Sequence, residues 1–70
     1  MKYSVFGRKL EIVKDQGKWI VFILGTDNKK RIANDIFIPS DVREDDLVVY
    51  LDDLLHEWAT SEKHKIYKIE

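Results

Sequence analysis

Seventy residues, 44% of them hydrophobic, suit one domain spanning 1–70 with a modest core and leave no room for a second. The chain has no cysteine, which excludes disulfides and thiolate metal sites. A net charge of −1 by itself argues neither for nor against a polyanion partner.

Tyr3 to Phe6 is β-prone, and Lys9 to Lys14 alternates in part, with Leu10 and Ile12 on one side and Lys9 and Glu11 on the other. Gly7 between them marks either a bulge in one long strand or the first residue of a Gly-Arg turn. Asp15-Gln16-Gly17 signals a turn, and Lys18 to Leu24 returns as the second main strand. Gly25-Thr26-Asp27-Asn28 is the next turn, followed by a short basic strand, Lys29 to Ala33, suited to a sheet edge. Asp35 to Pro39 is extended and apolar, because Pro39 keeps Ile38 out of helical geometry.

A helix over about 44–60 is the clearest element. Glu44, Asp45 and Asp46 place negative charge in its first turn, where the helix dipole favours it. Ser40 or Asp41 is a candidate cap. Leu47, Leu51, Leu54, Leu55 and Trp58 fall on one stripe bordered by Val48 and Tyr50, opposite Asp45, Val49, Asp52, Asp53 and His56. Lys65 to Ile69 is β-prone, leaving a final strand or a fraying tail as alternatives. The expected fold is α+β: a small antiparallel sheet of three to five strands packed on this helix.

Met1 to Phe6 is broken at once by Gly7-Arg8-Lys9, so no signal-peptide apolar run develops. The longest apolar run, Trp19 to Leu24, is too short to span a bilayer. A soluble cytoplasmic protein without a membrane partner is the expectation. Charge is segregated: residues 1–34 hold eight Lys or Arg against Glu11, Asp15 and Asp27, while 35–60 hold Arg43 against eight acids. Solubility and internal complementarity explain this most simply, and a bipolar interaction surface is the sharper alternative.

The residues show no recognisable catalytic, metal or cofactor site, and the chain reads as no enzyme. His56-Glu57-Trp58-Ala59-Thr60 begins like a zinc-protease helix but has Thr60 where the second histidine must stand. Asp52 and His56 lie one turn apart, a spacing better explained as a solvated pair than as a chelate. Ser61 and His64 lack an orienting acid and oxyanion donors. Gly7, Gly17 and Gly25 are dispersed over separate turns, so no phosphate-cradling loop exists.

Two features bear on partners. Trp19, Val21 and Ile23 point to one side of their strand and Ile20, Phe22 and Leu24 to the other, and a strand apolar on both faces needs cover on both. The N-terminal residues, the 35–39 segment or the tail come first as that cover, and self-association second. Lys29-Lys30-Arg31 follows this aromatic strand, an arrangement that also suits stacked bases and phosphates. The expected surface is therefore Trp19, Val21, Phe22, Lys29, Lys30 and Arg31. Its leading use is protein interaction, as a homodimer or with another protein; nucleic-acid binding is the alternative.

Val5-Phe6-Gly7-Arg8, the Trp19 strand ending in Leu24-Gly25, Lys29-Lys30-Arg31, Ile38-Pro39 and Tyr50-Leu51-Asp52-Asp53-Leu54 running into His56-Glu57 together resemble a family of small bacterial proteins of unknown function. The resemblance covers nearly the whole chain and implies a bacterial cytoplasmic origin but no activity. In layout alone the chain is similar to hic-type antitoxins, with a Met-Lys-Tyr start, a strand–turn–strand and an acidic amphipathic helix. It lacks their Pro-Gly-Cys segment and small-residue helix start, so toxin neutralisation is an analogy.

Overall fold

The computed structural model describes residues 1–25, 27 and 29–69. Five antiparallel strands, β1 (Lys2–Val5), β2 (Arg8–Asp15), β3 (Lys18–Leu24), β4 (Lys30–Ile32) and β5 (Ile66–Lys68), form one sheet in the order β4-β3-β2-β1-β5. One helical stretch crosses one face. Its α-helical part, α1 (Leu47–Leu55), is flanked by single 3-10 turns at Glu44–Asp46 and His56–Trp58.

Two tight turns set the register of the first three strands. Phe6 and Gly7 have φ of 52° and 84°, and Gln16 and Gly17 have φ of 51° and 78°. Positive φ at both central residues matches the right-handed twist of the strands it joins. Gly7 is therefore the second residue of a Phe6-Gly7 turn, a correction to both the bulge and the Gly-Arg turn: Arg8 already pairs with Val5 as the first residue of β2. The first turn pairs Val5 with Arg8, and the second pairs Asp15 with Lys18 and runs to Lys9 opposite Leu24. After β3 the Gly25 N–H donates to the Lys29 carbonyl at 2.7 Å; Thr26 and Asn28 of this expected turn lie outside the described residues. β4 is an edge strand, as its basic residues Lys30 and Arg31 imply.

From β4 the chain crosses the sheet to reach the opposite edge. Ile36 and Ile38 bury themselves on the way. A turn closed by the Val42 N–H on the Pro39 carbonyl, 3.1 Å, leaves Ser40 and Asp41 exposed before the helix begins. Neither caps it. Arg43 takes the N-cap position in extended geometry without a side-chain hydrogen bond, and the acidic first turn supplies the favourable charge instead. Leu47, Leu51 and Leu55 point into the core, while Leu54 is 40% exposed, a correction to the expected stripe. Three leucines at i, i+4 and i+8 suffice to cover a sheet this narrow, and Leu54 lies at the solvent border.

The tail forms a strand. β5 pairs with β1, the Phe6 N–H donates to the Lys65 carbonyl at 2.9 Å, and the Ile69 N–H donates to the Lys2 carbonyl at 2.7 Å. The core is one cluster between helix and sheet: Tyr3 and Val5 of β1, Leu10 and Ile12 of β2, Val21 of β3, Ala33, Ile36 and Ile38 of the crossing segment, and the three helix leucines, closed at one end by Phe6. No buried polar or charged side chain interrupts it among the described residues.

Candidate interaction surface

Strand alternation divides the sheet into two unlike faces. Tyr3, Arg8, Leu10, Ile12, Lys14, Trp19, Val21, Ile23 and Arg31 share the helix side. Cations on this side cover the half-buried aromatics: Arg8 lies 4.2 Å from the Trp58 ring centre and Lys14 4.8 Å from that of Trp19. The Trp19 Nε1–H donates to the Val42 carbonyl at 2.9 Å, which ties β3 to the crossing segment.

The other face follows from the same registers, row by row. Tyr67, Ser4, Lys9, Leu24 and Lys30 form one row, and Lys2, Glu11, Phe22 and Ile32 the next. Val13 and Ile20 form the third, with Asp15 and Lys18 last beside the Gln16-Gly17 turn. Val13, Ile20, Phe22, Leu24 and Ile32 thus gather as an apolar patch over β2, β3 and β4. None of them is buried, and Ile32 is 58% exposed. Among the described residues none of the expected internal covers lies on this face: the N-terminal residues form β1 within the sheet, the 35–39 segment joins the core on the helix side, and the tail pairs at the β1 edge.

The basic end of this face has a defined local chemistry. Lys30 Nζ donates to Glu11 Oε1 at 3.0 Å and stands 4.8 Å from the Phe22 ring centre. The hydrogen bond from Lys30 holds the Glu11 carboxyl below its usual range, with further help from the charges of Lys30, Lys2 and the N-terminus. Lys2, Lys9, Glu11, Leu24, Gly25 and Lys30 line a shallow groove there.

The six residues expected at the surface are therefore split. Phe22 and Lys30 lie together on the open face, and Lys29 is exposed in the adjoining loop. Trp19 and Arg31 lie on the helix side. Val21 is 3% exposed and part of the core, so it lines no surface; its parity is that of Trp19. Ile20 and Leu24, of the same parity as Phe22, take its place, and Val13, Ile32, Lys9 and Asp15 complete the face. Once Gln16-Gly17 is taken as a two-residue turn, simple counting brings Val13 beside Ile20 and Lys9 beside Leu24.

The helix side carries the acids. Asp45, Asp46, Asp52, Asp53 and Glu57 are all exposed. His56 Nδ1 lies 3.4 Å from Asp52 Oδ1 in a largely solvated i,i+4 pair, with its ring edge-on to Phe6 at 6.3 Å. Among the described residues no three His, Asp or Glu side chains gather to hold a metal ion, and no helix is long and apolar enough to cross a membrane.

A family model described as a domain of unknown function, DUF7661, matches residues 1–70. The chain belongs to that family. The DUF7661 match runs through both tight turns, the helix and the tail strand, so the whole sheet and both of its faces lie within the family domain. No curated protein and no solved structure matches the chain.

Proposed function

We propose that this DUF7661 domain is a non-enzymatic, cytoplasmic protein-interaction module that works through the open face of its sheet. One observation carries the reading: Val13, Ile20, Phe22, Leu24 and Ile32 form a contiguous apolar patch that no other element of the described chain covers. An apolar patch rimmed by charge is the usual mark of a docking site, because leaving it in water forgoes the hydrophobic stabilisation that contact supplies. The test is photo-crosslinking in cells from a reactive residue placed at Ile32, with Asp53 on the helix as control. Protein adducts from Ile32 and not from Asp53 are expected. Their absence from Ile32 removes the reading.

A nucleic-acid-binding or antitoxin-like role is the second reading, favoured by Lys30 over Phe22 with Lys2 and Lys9 nearby on the same face. It has less support, because Trp19 and Arg31 face away and Lys30 already serves Glu11. Phosphate contacts are strongest at low salt. No shift of single-stranded RNA or DNA under those conditions eliminates it.

A further inference from the structure

We propose that the occupant of the open face is a second copy of this chain. The two sheets dock face to face about a two-fold axis that runs perpendicular to the strands and passes between Ile20 and Phe22. This deepens the interaction-module reading and rests on it.

The distribution of charge along the face points to this occupant. On β2 the open-face positions run Lys9, Glu11, Val13, Asp15, and on β3 they run Lys18, Ile20, Phe22, Leu24. A cation therefore stands at one end of β2 and an anion at the other, about 20 Å apart at the rise of an extended strand. Neither Lys9 nor Asp15 makes an ion pair with another described residue.

Two sheets can pack with their strands roughly aligned and about 10 Å apart. A two-fold axis along the strands would set Lys9 and Lys30 over the same cations of the copy. An axis across the strands reverses the ends instead. Lys9 then lies over the copy's Asp15, and symmetry makes that pair twice. Ile20 lies over the copy's Phe22, so the apolar residues meet at the centre while the charges sit at the rim. Glu11 comes nearest the copy's Val13 and enters already neutralised by Lys30. Lys18, opposite Asp15 in the register, lies over the copy's Leu24, where its aliphatic stem can pack.

A head-to-tail alternative, with the open face on the acidic helix of the next copy, also pairs opposite charges. It leaves a free face at each end, however, and propagates unless it closes into a ring. The two-fold arrangement uses each apolar patch once and closes.

Light scattering on the full chain over a range of concentrations tests the proposal. A dimer is expected that Phe22→Glu and, independently, Ile32→Glu convert to folded monomer, while Val49→Glu on the helix leaves it intact. Lys9→Asp and Asp15→Lys should each weaken it roughly tenfold, and the two together should restore it, since each copy then carries the swapped pair. A dimer that survives both face variants overturns the proposal, as does loss of the dimer in Val49→Glu or failure of the charge swap to rescue. A monomer at every concentration also overturns it. If Ile32 then crosslinks to a different protein, the module reading stands with another partner; if Ile32 gives no protein adduct, both readings fall. A concentration-independent monomer that shifts single-stranded nucleic acid through Lys9 and Lys30 transfers the face to the second reading.

Discussion

Phe6 shows how a single residue sets opposing terms against each other. A bulky side chain at positive φ costs about 1–2 kcal/mol, yet Phe6 is only 5% exposed, and burying a phenylalanine returns about 1.5–3 kcal/mol. Burial wins, and the Lys65 carbonyl secures the backbone N–H. Phe6→Ala keeps the strain and loses the packing, so it should cost roughly 3 kcal/mol or more in chemical denaturation. Burial likewise separates two leucines. Leu51→Ala should cost about 2–5 kcal/mol, whereas Leu54→Ala, at the solvent border, should stay within roughly 0.5–1 kcal/mol. Equal costs for the two would contradict the helix orientation. Tyr3 adds a pH dependence. Burial pushes its phenol above the usual range, Lys68 opposes this and Glu44 reinforces it. The folded state thus favours the neutral phenol. That contribution is fully present below about pH 10, where a free phenol titrates, and is lost as pH rises through the higher folded value. Tyr3→Phe should flatten the alkaline limb of a stability–pH curve.

At the scale of elements, the helix and the second hairpin were the most legible in the sequence, and the first turn and the helix cap the least. Asp15-Gln16-Gly17 announces a turn, and once Gln16-Gly17 is its two-residue centre the β3 partners of Lys9 to Asp15 follow by counting. Gly17 has φ +78° with open space around the position of a Cβ, whereas a Cβ at Gly7 would meet the Lys63 side chain at 2.6 Å. Gly17→Ala should therefore cost about 1–2 kcal/mol for conformation alone. Gly7→Ala should cost more, since Lys63 must also move; thermal melts of the two variants make the comparison. The helix was visible from leucine spacing and an acidic first turn, but Ser40 and Asp41 mislead as caps. A cap is decided by where the chain enters the helix, and here the Pro39–Val42 turn comes between. Likewise β5 gains its place by pairing with β1, a contact some sixty residues apart in the chain that no local pattern announces.

For the whole molecule, the consequence of this topology is a two-layer body with acids on the helix side and an apolar, partly basic open sheet. Glu44 receives Lys68 at 3.4 Å from β5, a link between the layers that is exposed and so contributes little on its own. Association through the open face should be dominated by apolar contact. It should therefore persist at high salt, with only the Lys9–Asp15 component weakened by screening. Light scattering at low and high salt reads this directly, and complete dissociation by salt would point to electrostatic attachment instead. Composition, turn residues and periodicity were enough to determine an α+β chain with a basic first half, a turn at Asp15-Gln16-Gly17, one amphipathic helix and a strand apolar on both faces, because each of these follows from interactions between near neighbours. Which face the helix covers, where the 35–39 segment and the tail go, and hence which of Trp19, Val21 and Phe22 remains on the open face, were decided only by tertiary packing. One helix can shield one side of a sheet, and the side it takes depends on contacts between residues far apart in the chain.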